Sequence, residues 1–338
     1  MKAYEILKGA KSLDEVKRVE RPEPKAGPGQ ILVRMRAASL NYRDQMVVIG
    51  AYFGGSVPVN TIPLSDGAGE VTAIGAGVTR FSVGDRVAGT FFRDWVDGRP
   101  APAPRVSLGA AGADGVLAEY VVFDERDAVM VPAHLSFEEA ATLPCAGVTA
   151  WHAVSVVGDI RPGQTVLVLG TGGVSIFALQ FARAAGARVI ATSSSDEKLA
   201  RAKALGADVL INYKRTPEWE KIVLEATHGQ GVDCVVEVGG PGTLARSMQV
   251  AGFHGKVALI GFVAGREGDT NPAALMRKWA SIHGIFVGHR AMFEDMNAAL
   301  TVNKLKPVID KVFPFDQALD AYRYLQSAAH FGKIVIRI

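Results

Sequence analysis

Thr165-Val166-Leu167-Val168-Leu169 runs directly into Gly170-Thr171-Gly172-Gly173-Val174-Ser175. The first five residues are too few and too β-branched for a helix, and they predict a buried strand. Arg161-Pro162-Gly163-Gln164 before them reads as a turn. After the glycines, Val174, Phe177, Leu179, Phe181, Ala182 and Ala185 recur at roughly helical spacing, with a stop at Gly186. Strand, glycine loop and helix in that order can cradle a phosphate. The glycines let the backbone approach the ligand, and the first-turn N–H groups point at its negative charge. The G-x-G-x-x-G pattern is met at Gly170 and Gly172, with Ser175 in the third place. Such a loop also serves as an ordinary strand-to-helix turn, so the surrounding chain has to decide between the two.

At 338 residues the chain predicts two domains. With 49% apolar residues it can bury a sizeable core. The 37 glycines are dispersed rather than periodic, which fits the turns of an α/β protein. Lys plus Arg at 37 against Asp plus Glu at 34 gives +3, with no basic run, so nucleic acid is not expected as a partner. No stretch is long and apolar enough to span a bilayer, and Met1-Lys2-Ala3-Tyr4-Glu5 does not open a signal peptide. A soluble cytoplasmic protein without membrane contact is expected. The two cysteines, Cys145 and Cys234, exclude a disulfide framework.

Residues 1–122 look β-rich. Gln30–Ala37 alternates apolar and polar residues, Gly67–Ile74 reads as a strand closed by Gly75-Ala76-Gly77, and Phe81–Val87 reads as a turn into another. Phe91–Val116 is rich in Pro, Ala and Gly and reads as a surface excursion or a lid. From 123 to 290 the pattern changes to strand and helix in alternation. The strand candidates are Val166–Leu169, Arg188–Thr192, Val209–Ile211, Cys234–Val238, Val257–Phe262 and Ile282–Val287. Glu197–Ala204 and Thr243–Val250 are among the intervening helices. Six such strands with short crossovers predict a doubly wound parallel sheet, whose phosphate site follows its first strand. Residues 291–338 open with the helical stretch Ala291–Val302. They close on Lys333–Ile338, a strand expected to return to the first domain.

The second strand carries information about the ligand. A dinucleotide site that prefers NAD places a carboxylate about 20 residues past the loop, on the ribose hydroxyls. Here the strand ends in Thr192-Ser193-Ser194-Ser195, and the first carboxylates, Asp196 and Glu197, already enter a helix. Small hydroxyl residues leave room for a 2′-phosphate, Lys198 can supply charge, and Tyr213 can add a hydroxyl or a ring. NADP(H) is therefore expected over NAD(H).

Asn41-Tyr42-Arg43-Asp44, Gly67–Gly75, Gly84-Asp85-Arg86-Val87, Leu143–Trp151 and the glycine loop occur in the order seen in medium-chain dehydrogenases/reductases. The chain resembles their zinc-independent, quinone oxidoreductase-like branch, which includes zeta-crystallin. That resemblance implies a β-rich GroES-like catalytic domain, a Rossmann cofactor domain and a cleft between them. It also implies a homodimer through the last Rossmann strand, Ile282–Val287. The zinc alcohol dehydrogenases hold a catalytic ion by Cys, His and Cys with a Glu beside the His. Those positions fall on Asn41, Ser65-Asp66 and Cys145, so one of the three zinc ligands is retained. The structural zinc lobe falls on Phe91–Val116, which has no cysteine. Zinc needs three or four suitable donors in tetrahedral array, so no metal is expected.

Without a Lewis acid, developing oxyanion charge must meet hydrogen-bond donors. A quinone or enone delocalises that charge and needs less help than a simple ketone. The expected function is thus zinc-independent, NADPH-dependent hydride transfer to a quinone, enone or related carbonyl. An alcohol dehydrogenase for simple alcohols or aldehydes, and a weakly catalytic NADPH-binding protein, are the alternatives. In related enoyl reductases a tyrosine shortly after the Asn-x-x-Asp element donates the proton, and Tyr52 occupies that place. Tyr52 and Asn41 are the catalytic candidates, with Asn41 also expected at the nicotinamide ribose and Asp44 as a structural residue. Thr149, Gly170, Thr171, Gly172, Gly173, Val174, Ser193, Ser194, Lys198, Tyr213, Gly239, Phe262, Phe286 and Val287 complete the expected cofactor site. Tyr42, Phe53, Phe92 and Trp95 are expected to line an apolar substrate pocket.

Overall fold

Gln30–Leu40 is the longest strand of the protein, and its neighbours bring distant segments of sequence together. The computed structural model describes residues 1–100, 107–110, 112–265 and 267–338. These divide into two units, Met1–Val148 with Gly288–Ile338, and Thr149–Val287.

In the first unit, Gln30–Leu40 pairs antiparallel with Asp66–Ile74, Tyr120–Asp124 and Lys333–Arg337. Arg86–Gly89 and Ala128–Met130 extend the sheet on one side and Ile309–Pro314 on the other. The register sets Ile334 opposite Leu40, and Asp66 opposite Ser39. The end of one strand, the start of a second and the start of the C-terminal strand therefore share one corner of the sheet. The helix Ala318–Gln326 covers this sheet with Ala318, Ala321, Tyr322 and Leu325, the i, i+3, i+4, i+7 stripe of an amphipathic helix.

The expected boundary at residues 122–123 falls inside the strand Tyr120–Asp124. Ala128–Met130 beyond it also pairs into the first sheet, so the first unit continues to Val148. The return comes at Gly288 rather than at 291, because Arg290 N and Ala291 N already donate to Trp95 O and Val96 O. The reading of Phe91–Val116 as a surface excursion also changes. Phe91, Phe92, Leu108 and Val116 are buried, although residues 101–106 and 111 lie outside the described residues.

The second unit is a six-stranded parallel sheet in the order Val209–Asn212, Arg188–Ser193, Thr165–Val168, Val232–Glu237, Ala251–Leu259, Ser281–Gly284. Leu167, Ile190, Val235 and Val257 are fully buried in it, as apolar runs in a sheet covered on both faces must be. Strand order reverses between Thr165–Val168 and Val232–Glu237, the position where doubly wound folds bind ligands at the carboxyl ends. The last two strands differ most from expectation. Ala251–Leu259 stops before Phe262, and the sixth strand is Ser281–Gly284 rather than Ile282–Val287. Ile285 N still donates to Leu259 O, but Val287 lies in the left-handed region at φ 58° and the chain turns away.

Asp127 joins two loops of the first unit. Its main-chain oxygen accepts from Thr90 N and its Oδ1 from Asp94 N at 2.9 Å, while Oδ2 is buried with no hydrogen-bond partner. Burial pushes its carboxyl up to about 6. The folded protein thus holds the proton more tightly than the unfolded chain, whose Asp titrates near ~3.9. That contribution to stability is complete below about pH 4 and is lost as pH rises through about 6. Asp127→Asn should therefore be more stable than wild type at pH 7.5, by about 1–3 kcal/mol in urea unfolding, and the gap should close by about pH 4. A gap of the same size at both pH values would contradict the assignment.

Candidate functional site

In the second unit the loop begins where Thr165–Val168 ends. Gly170 has φ 74°, a conformation that costs other residues energy. Its N–H donates to Thr192 Oγ1 at 3.2 Å, which ties the loop to the next strand. The helix Gly173–Ala184 starts after Gly172, and no side chain caps its first turn. An uncapped first turn offers N–H groups and a partial positive charge to an anion. A Cβ on Gly172 would meet nothing within 4 Å, and its φ of −77° suits any residue. The fold therefore does not require glycine there, whereas a ligand lying against the backbone would. Ser175, in the third glycine's place, is buried and donates from Oγ to Leu169 O at 2.6 Å. Its hydroxyl stitches the helix to the strand instead of allowing closer packing. Thr171 is buried, Gly173 opens the helix, and Val174 is half-buried in its first turn.

At the second strand's end, Ser193 is buried and its Oγ accepts from Ser195 N at 3.3 Å. Ser195 caps the helix Asp196–Ala204 by accepting from Lys198 N. Ser194 and Lys198 are half-buried, and Tyr213 N donates to Ser193 O at 3.1 Å. Asp196, the nearest carboxylate, is already engaged: Asn212 Nδ2 lies at 2.9 Å and Arg215 at 2.8 Å. The sequence reading did not single out Arg215, whose place beside this tip follows from the chain's turn after Asn212.

The fourth strand ends in another residue that the sequence reading missed. Glu237 is fully buried and accepts from Gly239 N at 2.7 Å, Gly240 N at 3.0 Å and Thr243 Oγ1 at 2.7 Å, as well as from Ser247 Oγ. Gly239 therefore spends its N–H inside the protein, and a Cβ there would sit 2.2 Å from Thr243 Oγ1. Its glycine is explained by packing. Thr149 is buried, Phe262 and Phe286 are partly exposed, and Val287 is buried with its carbonyl 2.7 Å from His152 Nδ1.

The first unit holds the other candidates. Asn41 precedes the helix Tyr42–Val48, and its N–H donates to Asp44 Oδ2 at 2.7 Å. Its Oδ1 accepts from Lys333 Nζ at 2.6 Å, and the same ammonium donates to Leu40 O at 2.6 Å. Asp66 is fully buried, accepting from Ser65 Oγ at 2.6 Å and Cys145 N at 3.0 Å. Burial raises the Asp66 carboxyl while the Lys333 ammonium opposes it. Asp44 is driven up to about 6 by burial, against the pull of Arg43. Arg43 donates to Leu108 O at 2.8 Å and lies under the Tyr52 ring, 4.7 Å from its centroid. Tyr52 is pushed up to about 12, mainly by burial, so its phenol keeps its proton at neutral pH. Phe53, 64% exposed, meets Tyr52 edge-on, and Tyr42 is 43% exposed. Phe92 and Trp95 pack in an aromatic group with Phe91 and His289, and the Phe91 ring also lies against Arg43, 5.0 Å from its guanidinium. The structure thus brings Asn41 and Tyr52 together through Arg43 and Asp44. Phe92 adjoins that cluster through Phe91, whose ring also packs on Arg43.

Residues 27–133 match the alcohol dehydrogenase GroES-like domain family, and residues 173–302 match the zinc-binding dehydrogenase family. A zinc-type alcohol dehydrogenase-like protein of Schizosaccharomyces pombe is 46% identical over 99% of both chains. The chain belongs to the alcohol dehydrogenase-like medium-chain dehydrogenase/reductase superfamily. Within that superfamily, a 2-methylene-furan-3-one reductase of Solanum lycopersicum is 32% identical over 91% of this chain and 71% of its own. The structure of an NAD-dependent alcohol dehydrogenase, 34% identical, superposes with a TM-score of 0.91 over 100% of both chains.

Zinc, which these family names imply, meets an unsuitable donor set. Asn41 offers an amide oxygen already taken by Lys333, and the Ser65 hydroxyl is donated to Asp66. Burial and the Asp66 charge push the Cys145 thiol far above its ordinary range, away from the thiolate that binds zinc. Among the described residues no group of three His, Cys, Asp or Glu side chains is placed to hold a metal. A dinucleotide, by contrast, fits the loop at Gly172. Gly172→Ala should fold with a stability within about 0.5 kcal/mol of wild type yet bind dinucleotide at least about tenfold more weakly. Gly170→Ala should lose about 1–2 kcal/mol from backbone strain alone. Calorimetric titration and thermal melts separate the two. Unchanged binding in Gly172→Ala would remove the loop from the site.

Proposed function

We propose that this protein is an NADPH-dependent, zinc-independent reductase of enones, quinones or related conjugated carbonyls. The observation that carries this reading is the donor set around Asn41. Among the described residues it has no metal ligand set, but it does have a phenol that stays protonated, Tyr52, beside the exposed aromatic ring of Phe53. When bound, the nicotinamide supplies the hydride. The chain's own residues then need only receive an apolar substrate, orient its carbonyl and supply a proton. Tyr52 does the last, with Arg43 beneath its ring keeping the side chain in place. A conjugated acceptor spreads its developing charge and suits such a site better than an isolated carbonyl. A relative that carries the name of an enone reductase points the same way.

The preference for NADPH rests on the tip of the second strand. Ser193 and Ser194 end the strand in small side chains, Asp196 is occupied by Asn212 and Arg215, Lys198 lies in the first turn of the next helix, and Tyr213 N donates to Ser193 O. Asp196 is thus not available to the ribose hydroxyls in the way that NAD enzymes use an acidic residue. The alternative, an NAD(P)-dependent alcohol dehydrogenase for simple alcohols or aldehydes, is favoured by the likeness to a zinc-type alcohol dehydrogenase-like protein and to the structure of an NAD-dependent alcohol dehydrogenase.

A panel of 1,4-benzoquinone, a 2-enal, a cyclic enone and a simple aldehyde tests the reaction. We expect NADPH oxidation with the conjugated members, at a rate that EDTA leaves unchanged. Turnover of the aldehyde alone, or one tightly bound zinc per chain, would overturn the reading. For the cofactor, Lys198→Ala should weaken NADPH binding about tenfold and leave NADH nearly unchanged. Equal losses for both would take the 2′-phosphate away from Lys198.

A further inference from the structure

We propose that Lys333 is a built-in cation whose buried ammonium positions Asn41 and Asp66 for the reaction. The inference rests on the zinc-independent reading above and deepens it.

Lys333 opens the C-terminal strand and is 3% exposed. A lysine is rarely buried unless paired, because removing its charge from water is costly. Here the burial has a specific geometry. Two of the three ammonium protons are accounted for, one on Leu40 O and one on Asn41 Oδ1, each at 2.6 Å. The charges around it are the carboxylates of Asp66 and Asp44, with Arg43 as the second cation. Burial lowers the ammonium's hold on its proton, and Asp66 is the strongest group opposing that.

This arrangement does three things that a metal would otherwise do. It binds the end of the strand Gln30–Leu40 to the turn that follows, through Leu40 O and Asn41. It fixes the rotation of the Asn41 amide, because an ammonium only donates and must face the oxygen. It also supplies a positive charge beside Asp66, which in turn accepts from Cys145 N and Ser65 Oγ. The positions that the zinc enzymes give to ligands fall on these same residues, Asn41, Ser65-Asp66 and Cys145. A second cation introduced among them would be repelled by the ammonium already present. Lys333 is therefore a positioning residue: it acts on the reaction through Asn41 and Asp66.

Chemical rescue tests this. Lys333→Ala is compared with wild type by thermal melt and by turnover of whichever panel substrate the wild type reduces, with and without ethylammonium chloride. Tetramethylammonium chloride controls for ionic strength. We expect kcat/KM to fall about 100-fold, the scale of a site displaced by an ångström, with KM for NADPH little changed. Ethylammonium should raise both the melting temperature and kcat of this variant, and tetramethylammonium should raise neither, since it has no N–H to donate. Wild-type stability and activity equalled by Lys333→Ala would overturn the proposal. So would recovery no greater with ethylammonium than with tetramethylammonium. If Lys333→Ala does not fold, Lys333→Met and Lys333→Arg replace it. Arg should retain more stability and turnover than Met, and a Met variant as active as wild type would overturn the proposal. If wild-type protein reduces no panel member, the function reading fails, while the melting shift with ethylammonium still decides the role of Lys333.

Discussion

Four ionic side chains, Lys333, Asp66, Asp44 and Arg43, are buried in the first unit, and the local chain path depends on their mutual compensation. Removing one partner from such a set leaves an uncompensated charge and costs ~3–5 kcal/mol. Each charge therefore constrains the segment that carries it. Asp44 holds the turn into the helix Tyr42–Val48 through Asn41 N–H, and Arg43 reaches Leu108 O in a loop far along the chain. Lys333 closes the set from the C-terminal strand. A well-packed apolar substitute for the whole group would be as stable. Stability alone therefore does not explain why the charges are kept, and the polar atoms they orient supply the reason.

The sheet register makes this arrangement possible. Leu40 lies opposite Ile334, and Ser39 lies opposite Asp66. A slip of one residue in either pairing would turn each side chain of that strand to the other face. The pairing with Asp66–Ile74 shifts by one residue after Met35, so the register beyond that shift, not the one that pairs Val33 with Val71, sets where Asn41 and Asp66 emerge. The polar cluster is thus placed by the last paired residues of an otherwise apolar sheet.

Periodicity makes the second unit easy to read from sequence. Each parallel strand is a short β-branched run, each crossover has helical spacing, and the glycines after Leu169 mark the reversal of strand order. Strand ends were harder to read, because Val287 is a β-branched residue in a left-handed conformation that its own preference opposes. The residues of the candidate site divide along the same line. Asn41, Tyr52 and Asp66 lie within one stretch of sequence and were legible only through the family resemblance, Asp66 as the position of the Glu beside the zinc-binding His. Lys333 was not, since 292 positions separate it from Asn41 and nothing local distinguishes it from a lysine at a strand's start. Glu237 escaped notice for a related reason: its donors follow it closely, but they include backbone N–H groups, which carry no sequence signature. Phe91 opens a Pro-, Ala- and Gly-rich segment that reads as a surface excursion or a lid, whereas the aromatic area of Phe91 and Phe92 drives both rings inward.

Glu237 and Gly172 show how the second unit separates the needs of the fold from those of a ligand. Both belong to glycine-containing turns at the carboxyl ends of neighbouring strands. In one turn the N–H groups of Gly239 and Gly240 are taken by the Glu237 carboxylate, and a side chain at 239 would strike Thr243. That turn is complete without a ligand. In the other turn the helix starts without a side-chain cap and the space over Gly172 is open. An internal carboxylate satisfies the first set of donors, so the positive helix end at the second remains for an external anion. The same fold thus offers one anion its own side chain and leaves room for another from solution, which is the asymmetry that a dinucleotide phosphate requires.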